Sequence, residues 1–355
     1  MPTIEDIQAA LAQVDDPELG INIVEAGMVR DIQISDGHVD ITLALTIAGC
    51  PLRSYLQEET QKAALSVAGV QSAEVKLTTM TDQQRDQLKD RMPPALNLNQ
   101  IGRIVAIMSG KGGVGKSSVT ALLATALKRQ GYQVGILDAD LTGPSIPKLF
   151  GISGPVRAIP MGILPVESQT GVRVISTNLM LPEEDMAIIW RGPVMSNTIR
   201  QFWSEVLWGR LDYLLVDLPP GTSDATLTTL QSFPLDGVVL VTMPQGLSSM
   251  VVRKTVRMAI DMNIPILGIV ENMSYFVSPE SGARLEVFGP SHTDVILSLA
   301  DAPLLGRLPI DPTLTHLADA GDIESYENQA YAELADAFIA AASPIEPAPV
   351  VTRMK

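Results

Sequence analysis

Cysteine is almost absent from this chain of 355 residues, which carries a single one, Cys50. One thiol excludes an intramolecular disulfide framework and any all-cysteine metal site within one chain. A thiolate-bound soft metal would have to be shared between chains. Histidine is also scarce, and His38, His292 and His316 are too far apart in sequence to offer metal-ligand spacing. Basic residues are outnumbered, 25 Lys and Arg against 40 Asp and Glu, for a formal net charge of −15. That balance disfavours nonspecific DNA binding, which needs cations to neutralise phosphates, and equally disfavours a polybasic membrane anchor. No apolar run approaches the roughly 18 residues of a membrane-spanning helix. The opening Met1-Pro2-Thr3-Ile4-Glu5-Asp6 lacks the basic and apolar regions of a signal peptide. The expectation is a cytoplasmic protein with neither nucleic acid nor membrane as partner.

What is present in quantity is ordinary globular material, 46% hydrophobic and 18% charged, enough for two or three domains. Gly110-Lys111-Gly112-Gly113-Val114-Gly115-Lys116-Ser117-Ser118 fits G-x-x-x-x-G-K-[ST]. An apolar run, 104–108, precedes it and a helical pattern, 118–127, follows. Strand, glycine loop and helix in that order form a phosphate cradle: glycines let backbone N–H groups turn inward, and the helix adds its positive end. Lys116 is then expected on the β- and γ-phosphates of ATP and Ser117 on Mg²⁺.

The first 80 residues read as a small α/β unit. Apolar Ile4, Ile7, Ala10, Leu11 and Val14 recur at helical spacing. Two alternating stretches, 28–34 and 39–45, flank the turn Ser35-Asp36-Gly37 as a hairpin. A helix over 52–67 and a strand near 73–77 complete the unit. Residues 81–100, a charged helical stretch followed by Met92-Pro93-Pro94, read as a linker. A second domain over 101–342 alternates strands (134–137, 172–176, 213–216, 238–242, 266–270) with helices (194–207, 225–232, 248–262, 327–341). The pattern predicts an α/β fold with a mostly parallel sheet covered on both faces. Ligands on such a sheet gather at the carboxyl ends of its strands. The proline-rich ending, 343–355, cannot form a helix.

Several motifs carry a family resemblance. Lys-Gly-Gly-Val-Gly-Lys-Ser looks like the deviant phosphate loop of the MinD/ParA/nitrogenase-iron-protein class. Asp140-Leu141-Thr142-Gly143-Pro144-Ser145-Ile146-Pro147, Trp190-Arg191-Gly192-Pro193, Leu211-Asp212-Tyr213-Leu214 and Glu271-Asn272-Met273-Ser274 resemble the Mrp/ApbC iron–sulfur carrier ATPases. Upstream, Gly27-Met28-Val29 and Thr46-Ile47-Ala48-Gly49-Cys50-Pro51-Leu52 resemble the iron–sulfur-assembly domain often fused ahead of them, as does Asp16-Pro17-Glu18-Leu19-Gly20-Ile21. The resemblance implies a homodimer around two ATP molecules, with Lys111 crossing to the partner's nucleotide. It implies that Asp140 orients the attacking water and Asp138 supports the Mg²⁺ shell. Asp217, closing the apolar run 214–216 as a Walker B strand does, is expected to hold Mg²⁺, and Pro219-Pro220-Gly221-Thr222 to sense the γ-phosphate. The resemblance further implies that Asn272 reads the adenine edge, that the segment with Pro309 and Asp311 packs on the base, and that Cys50, at a helix entrance, is an iron–sulfur ligand.

One departure stands against these agreements. The family usually places Cys-x-x-Cys soon after Asn-Met-Ser, so that two dimer-related pairs hold one [4Fe–4S] cluster. Here Ser278 and Ser281 occupy that stretch, and serine is a poor ligand for a soft cluster. Two readings follow. The chain is a slow dimeric ATPase that carries iron–sulfur clusters to apo-proteins or assembly factors, or an ATP-switched scaffold that has lost the bridging cysteines.

Overall fold

A computed structural model describes residues 2–17, 19, 21–46, 50, 52–91, 98–159, 161–180, 192–244 and 248–342. The proline-rich ending, the Met92-Pro93-Pro94 break and the motif residues Glu18, Gly20, Ile47, Ala48, Gly49, Pro51, Trp190 and Arg191 lie outside the described residues. The chain divides into two compact units, Met1–Pro94 with Ala158–Gly162, and Ala95–Arg157 with Ile163–Lys355.

In the first unit, helix α1 (Ile4–Leu11) starts at a capping box: the Asp6 N–H donates to the Thr3 hydroxyl while the Asp6 carboxylate accepts from the Thr3 N–H. Strands β1 (Val29–Ser35) and β2 (His38–Leu45) pair antiparallel. Their two-residue turn, Asp36-Gly37, has positive φ at both positions (47° and 83°), as a tight hairpin of this hand requires. Helix α2 (Arg53–Leu65) returns the chain so that β3 (Ser72–Thr79) lies parallel to β2. Helix α3 (Asp82–Arg91) follows.

The second unit is built on one nine-stranded sheet. In chain order its elements are β4 (Gln100–Ser109), α4 (Lys116–Arg129), β5 (Val134–Asp138), α5 (Ile146–Leu149), β6 (Val166–Glu167), β7 (Arg173–Ile175), α6 (Gly192–Glu205) and β8 (Arg210–Asp217). There follow α7 (Asp224–Ser232), β9 (Gly237–Thr242), α8 (Ser248–Asp261), β10 (Ile266–Val277), β11 (Arg284–Leu285), α9 (Thr293–Ala300), β12 (Leu304–Ile310), α10 (Pro312–Ala320) and α11 (Gln329–Ala341). The spatial order is β6-β7-β5-β8-β4-β9-β10-β11, with β12 also on β10. Only the short β6 and β11 pair antiparallel.

Side-chain alternation makes two cores from one sheet. Val105, Ile107, Ile136, Tyr213, Leu215 and Val239 face one cluster, with α4 and α11. Ile104, Ala106, Met108, Leu214, Val216 and Leu240 face the other, with α6, α8 and α9. Both faces are covered, so the central strands read as unbroken apolar runs.

Sequence periodicity overlooked α9, α10 and β12, and it ended the last strand at 270. In the structure β10 runs on to Val277, so Glu271, Asn272 and Met273 lie within the strand and not after it. Glu271 still pairs with Thr242 of β9; the pairing with β12 shifts register between Glu271 and Tyr275, where Met273 has φ 53°, and resumes at Tyr275 and Phe276. There β11 joins the other edge.

Phe338 of α11 is fully buried and meets Tyr213 edge-on, 5.5 Å between ring centroids. Phe338→Ala should cost about 3–5 kcal/mol, measurable by urea unfolding. A loss near zero would show that α11 does not seal this face of the sheet.

Candidate functional site: a phosphate loop closed on a buried aspartate

The loop 110–115 leaves the end of β4 and enters α4, whose first residue is Lys116. Two glycines are sterically required. A Cβ on Gly110 would lie 2.7 Å from the backbone N of Val252, and one on Gly115, at φ 76°, would lie 2.3 Å from Asn272 Nδ2. The loop borders a cavity of about 340 Å³ lined by residues 111–118 with Ser109, Asp140, Ser145 and Pro220. Lys111, Gly112 and Gly113 are exposed there, whereas Val114 is buried beneath the loop.

Under this cavity lies Asp217, fully buried at the end of β8. Its Oδ2 accepts from Lys116 Nζ and Ser117 Oγ, each at 2.6 Å, and its Oδ1 accepts from Thr120 Oγ1 at 2.6 Å. Lys116 is itself only 6% exposed. The lysine, the serine and the aspartate that the sequence placed on phosphate and Mg²⁺ are therefore in direct contact. Thr120 escaped the sequence reading, although it lies four residues after Lys116 and so on the same helical face.

Asp138, at the end of β5, is also fully buried. It accepts from the N–H groups of Asp140, Ser145 and Ile146 and from Ser176 Oγ, at 3.1–3.2 Å. Those bonds clip the loop that carries Asp140 to the cavity rim. Burial, and then the neighbouring Asp217 charge, push the Asp138 carboxyl up to about 8, against the pull of Lys116. Asp140 is half-buried and lines the cavity, and its Oδ1 holds Thr142 Oγ1 and the Gly143 N–H.

Asn272 is 5% exposed, and its Nδ2 donates to the Val114 carbonyl at 2.9 Å. One amide hydrogen of the expected adenine reader thus pins the phosphate loop. Next to it, fully buried Glu271 accepts from Ser274 Oγ (2.6 Å), Ser291 Oγ (2.5 Å) and Thr293 Oγ1, and pairs with Arg307 Nε (3.1 Å). Burial raises this carboxyl, but the hydroxyl bonds and Arg307 outweigh it and hold it below its usual value. Pro309 lies in β12, opposite Tyr275. Asp311 caps α10, accepting from the Thr313 N–H, and also takes the Tyr326 hydroxyl at 2.8 Å. Burial opposes its charge, yet those bonds keep it below its usual value.

Residues 100–345 match the family of NUBPL iron-transfer P-loop NTPases. The chain belongs to this family. In its other unit, residues 4–77 match the iron–sulfur cluster assembly protein family. An iron–sulfur cluster carrier protein of Synechocystis sp. is 41% identical over 326 residues, covering 90% of this chain and 91% of that one. A solved nucleotide-binding protein from Archaeoglobus fulgidus, in complex with ADP, is 44% identical and covers 65% of this chain and 90% of its own (TM-score 0.58). The septum-site protein MinD of Pyrococcus horikoshii, complexed with Mg-ADP, shares the fold at 24% identity over 67% of this chain and 95% of its own (TM-score 0.50).

The expected residues of this iron-transfer P-loop NTPase also include Cys50 and the Ser278/Ser281 pair. Cys50 belongs to the first unit, where its thiol is buried and its carbonyl accepts from the Arg53 N–H just inside α2. Ser278 and Ser281 form the turn between β10 and β11. The Ser281 N–H donates to Ser278 Oγ at 3.4 Å and the Ala283 N–H to Ser281 Oγ at 3.3 Å, so both hydroxyls are engaged by the turn's own backbone. The histidines need one correction. Linear spacing showed no ligand set, but adjacent strands bring the ligand atoms of His38, Asp40 and Glu74 within 4.8 Å of one another. Lys76 already pairs with Asp40 there, at 2.9 Å.

Thr120→Val strips one hydrogen bond from a buried carboxylate and should cost about 2 kcal/mol. Denaturant unfolding that matches wild type would remove Thr120 from the cluster. Asp138 gives a pH dependence whose sign follows from its raised value. The folded chain keeps a proton that the unfolded chain, near 3.8, has already released. Its contribution to stability is complete at low pH and is lost as pH rises through about 8. The nucleotide-free protein should therefore melt at lower temperature at pH 8 than at pH 5, and Asp138→Asn should lose most of that slope.

Proposed function

We propose that this chain is a slow, homodimeric ATPase that carries iron–sulfur clusters and passes them to apo-proteins. The observation that carries the nucleotide half is the contact of Lys116 and Ser117 with Asp217 beneath a cavity whose rim holds Asp140. The carrier half is supported by near full-length similarity to proteins named iron–sulfur cluster carriers, spanning both units.

The hard oxygens of Ser117 and Asp217, 2.6 Å apart, suit Mg²⁺, with Asp217 acting through water. Held there, the ion would supply positive charge to compensate the phosphates. Phosphates at the loop would compete with Asp217 for the Lys116 ammonium, and Asp217 would then be available to hold the ion. Asp140 orients the attacking water, held in place by the loop that Asp138 clips. Asn272, close to the loop, offers its remaining N–H and its Oδ1 to the adenine edge, with Pro309 and Asp311 bordering the base. Lys111, exposed at the rim, reaches the partner subunit's nucleotide.

A second reading, an ATP-switched scaffold without a cluster, is favoured by one observation: serines stand at 278 and 281, and their oxygens accept from the backbone of their own turn. A dimer then offers at most two thiolates, one Cys50 per chain, where a cluster usually needs four ligands. Cargo held this way would be labile and would draw the rest of its shell from the acceptor or from small thiols.

Lys116→Ala should abolish ATP binding by calorimetry, since the buried charge nearest the phosphates is lost. Asp140→Asn should bind ATP normally and hydrolyse it about 10²-fold more slowly or worse. Anaerobic reconstitution, followed by transfer to an apo-ferredoxin, separates the two readings. Labile iron in wild type, none in Cys50→Ser and a stable cluster in Ser278→Cys/Ser281→Cys support the carrier. Wild type that takes up no iron and transfers none, with ATP-dependent dimerisation intact, establishes the scaffold instead.

A further inference from the structure

We propose that a second cavity, bordered by the end of β10, β11 and the segment before α9, is a ligand site for a small carboxylate or phosphate anion, separate from the nucleotide cavity. It measures about 410 Å³, more than the 340 Å³ beside the phosphate loop, and within the range of small-molecule sites. The chemistry of its lining is unusual for this chain. In a protein with a formal charge of −15, two guanidinium groups, Arg284 and Arg307, share one cavity wall.

Neither guanidinium is fully spent. Arg284 has no carboxylate partner among the described residues; its contact is the face of the Tyr275 ring, 4.4 Å from the centroid. Stacking orients the planar group and leaves its N–H edge available, the arrangement in which arginine takes an oxyanion with two parallel bonds. Arg307 meets Glu271 through Nε at 3.1 Å, but three hydroxyls already satisfy that carboxylate. Among the described residues the terminal nitrogens of Arg307 make a long approach to Ser291 Oγ, at 3.5 Å, and its side chain is 46% exposed.

The other polar lining narrows the ligand class. Ser274 and Ser291 donate their hydrogens to Glu271, so the guanidiniums supply the donors. Glu286, exposed and also on the lining, repels a highly charged ligand. A mono- or dicarboxylate or a single phosphate fits that balance better than a polyphosphate chain. The site also shares a corner with the phosphate loop. Glu271 is anchored by the cavity's own Ser274, Ser291 and Arg307, and the next residue, Asn272, holds the Val114 carbonyl.

The test titrates the full chain separately with glutarate and with inorganic phosphate, followed by calorimetry and ligand-observed NMR. Wild type, Arg284→Gln and Lys116→Ala are compared after melting curves show each folded. At least one probe should bind wild type and Lys116→Ala equally, survive saturating Mg-ADP, and bind Arg284→Gln roughly tenfold or more weakly. Binding of glutarate alone assigns a carboxylate ligand, and of phosphate alone a phosphate; either supports the site. Three results would overturn it: neither probe binding wild type, binding lost in Lys116→Ala or displaced by Mg-ADP, or Arg284→Gln binding as tightly as wild type.

Discussion

A carboxylate buried without water must be fully partnered, and the second unit is arranged around meeting that demand for Asp217. Lys116, Ser117 and Thr120 all come from the first turns of α4, so a single helix supplies every side-chain bond to Asp217 described here. This ties the phosphate loop to β8 and fixes the start of α4 against the sheet. Removing one member of such a buried pair leaves the other charge uncompensated, at about 3–5 kcal/mol. The groups that tie the loop to β8 are the ones proposed above to serve the phosphates and their ion. On the proposed function, nucleotide binding would exchange partners within this cluster.

The sheet carries this cluster where the chemistry needs it. Parallel pairing puts the carboxyl ends of β4, β5 and β8 side by side, with Asp217 in register with Asp138 and Ile107. Two fully buried carboxylates thus stand on neighbouring strands. Their mutual repulsion is eased in two ways: Lys116 sits on Asp217, and Asp138 keeps its proton up to about 8. The proton-bearing partner is the one that clips the Asp140 loop, so the loop's anchorage and the cluster's charge are linked through space.

A second constraint acts at β10. Met273 is held at positive φ between two anchored neighbours, Asn272 on the phosphate loop and Ser274, whose hydroxyl donates to the caged Glu271. Such a conformation is unfavourable for a residue with a Cβ and persists because both sides are pinned. The corner joins the loop to the second cavity by covalent neighbours and not by a long relay of contacts.

Much of this was legible in the linear chain, for a physical reason: phosphate binding needs glycines, a lysine and a hydroxyl at fixed spacing along one strand-loop-helix. Residues 110–118, the aspartates that end β5 and β8, and the alternation of apolar runs with helical stretches are all local signals. So is the loss of two thiols at Ser278 and Ser281. The sequence by itself determined the fold class, the nucleotide loop and the family resemblance. What it could not carry were relations between residues far apart in the chain. Thr120 on Asp217, Asn272 on Val114, and Arg307 on Glu271 are invisible to spacing. The extension of β10 past 270 depended on pairing with β12 and β11 that resumes beyond a register shift. The gathering of Arg284 and Arg307 into one cavity, and of His38 beside Glu74, was likewise decided by tertiary structure, because strand pairing and not sequence distance sets which side chains meet.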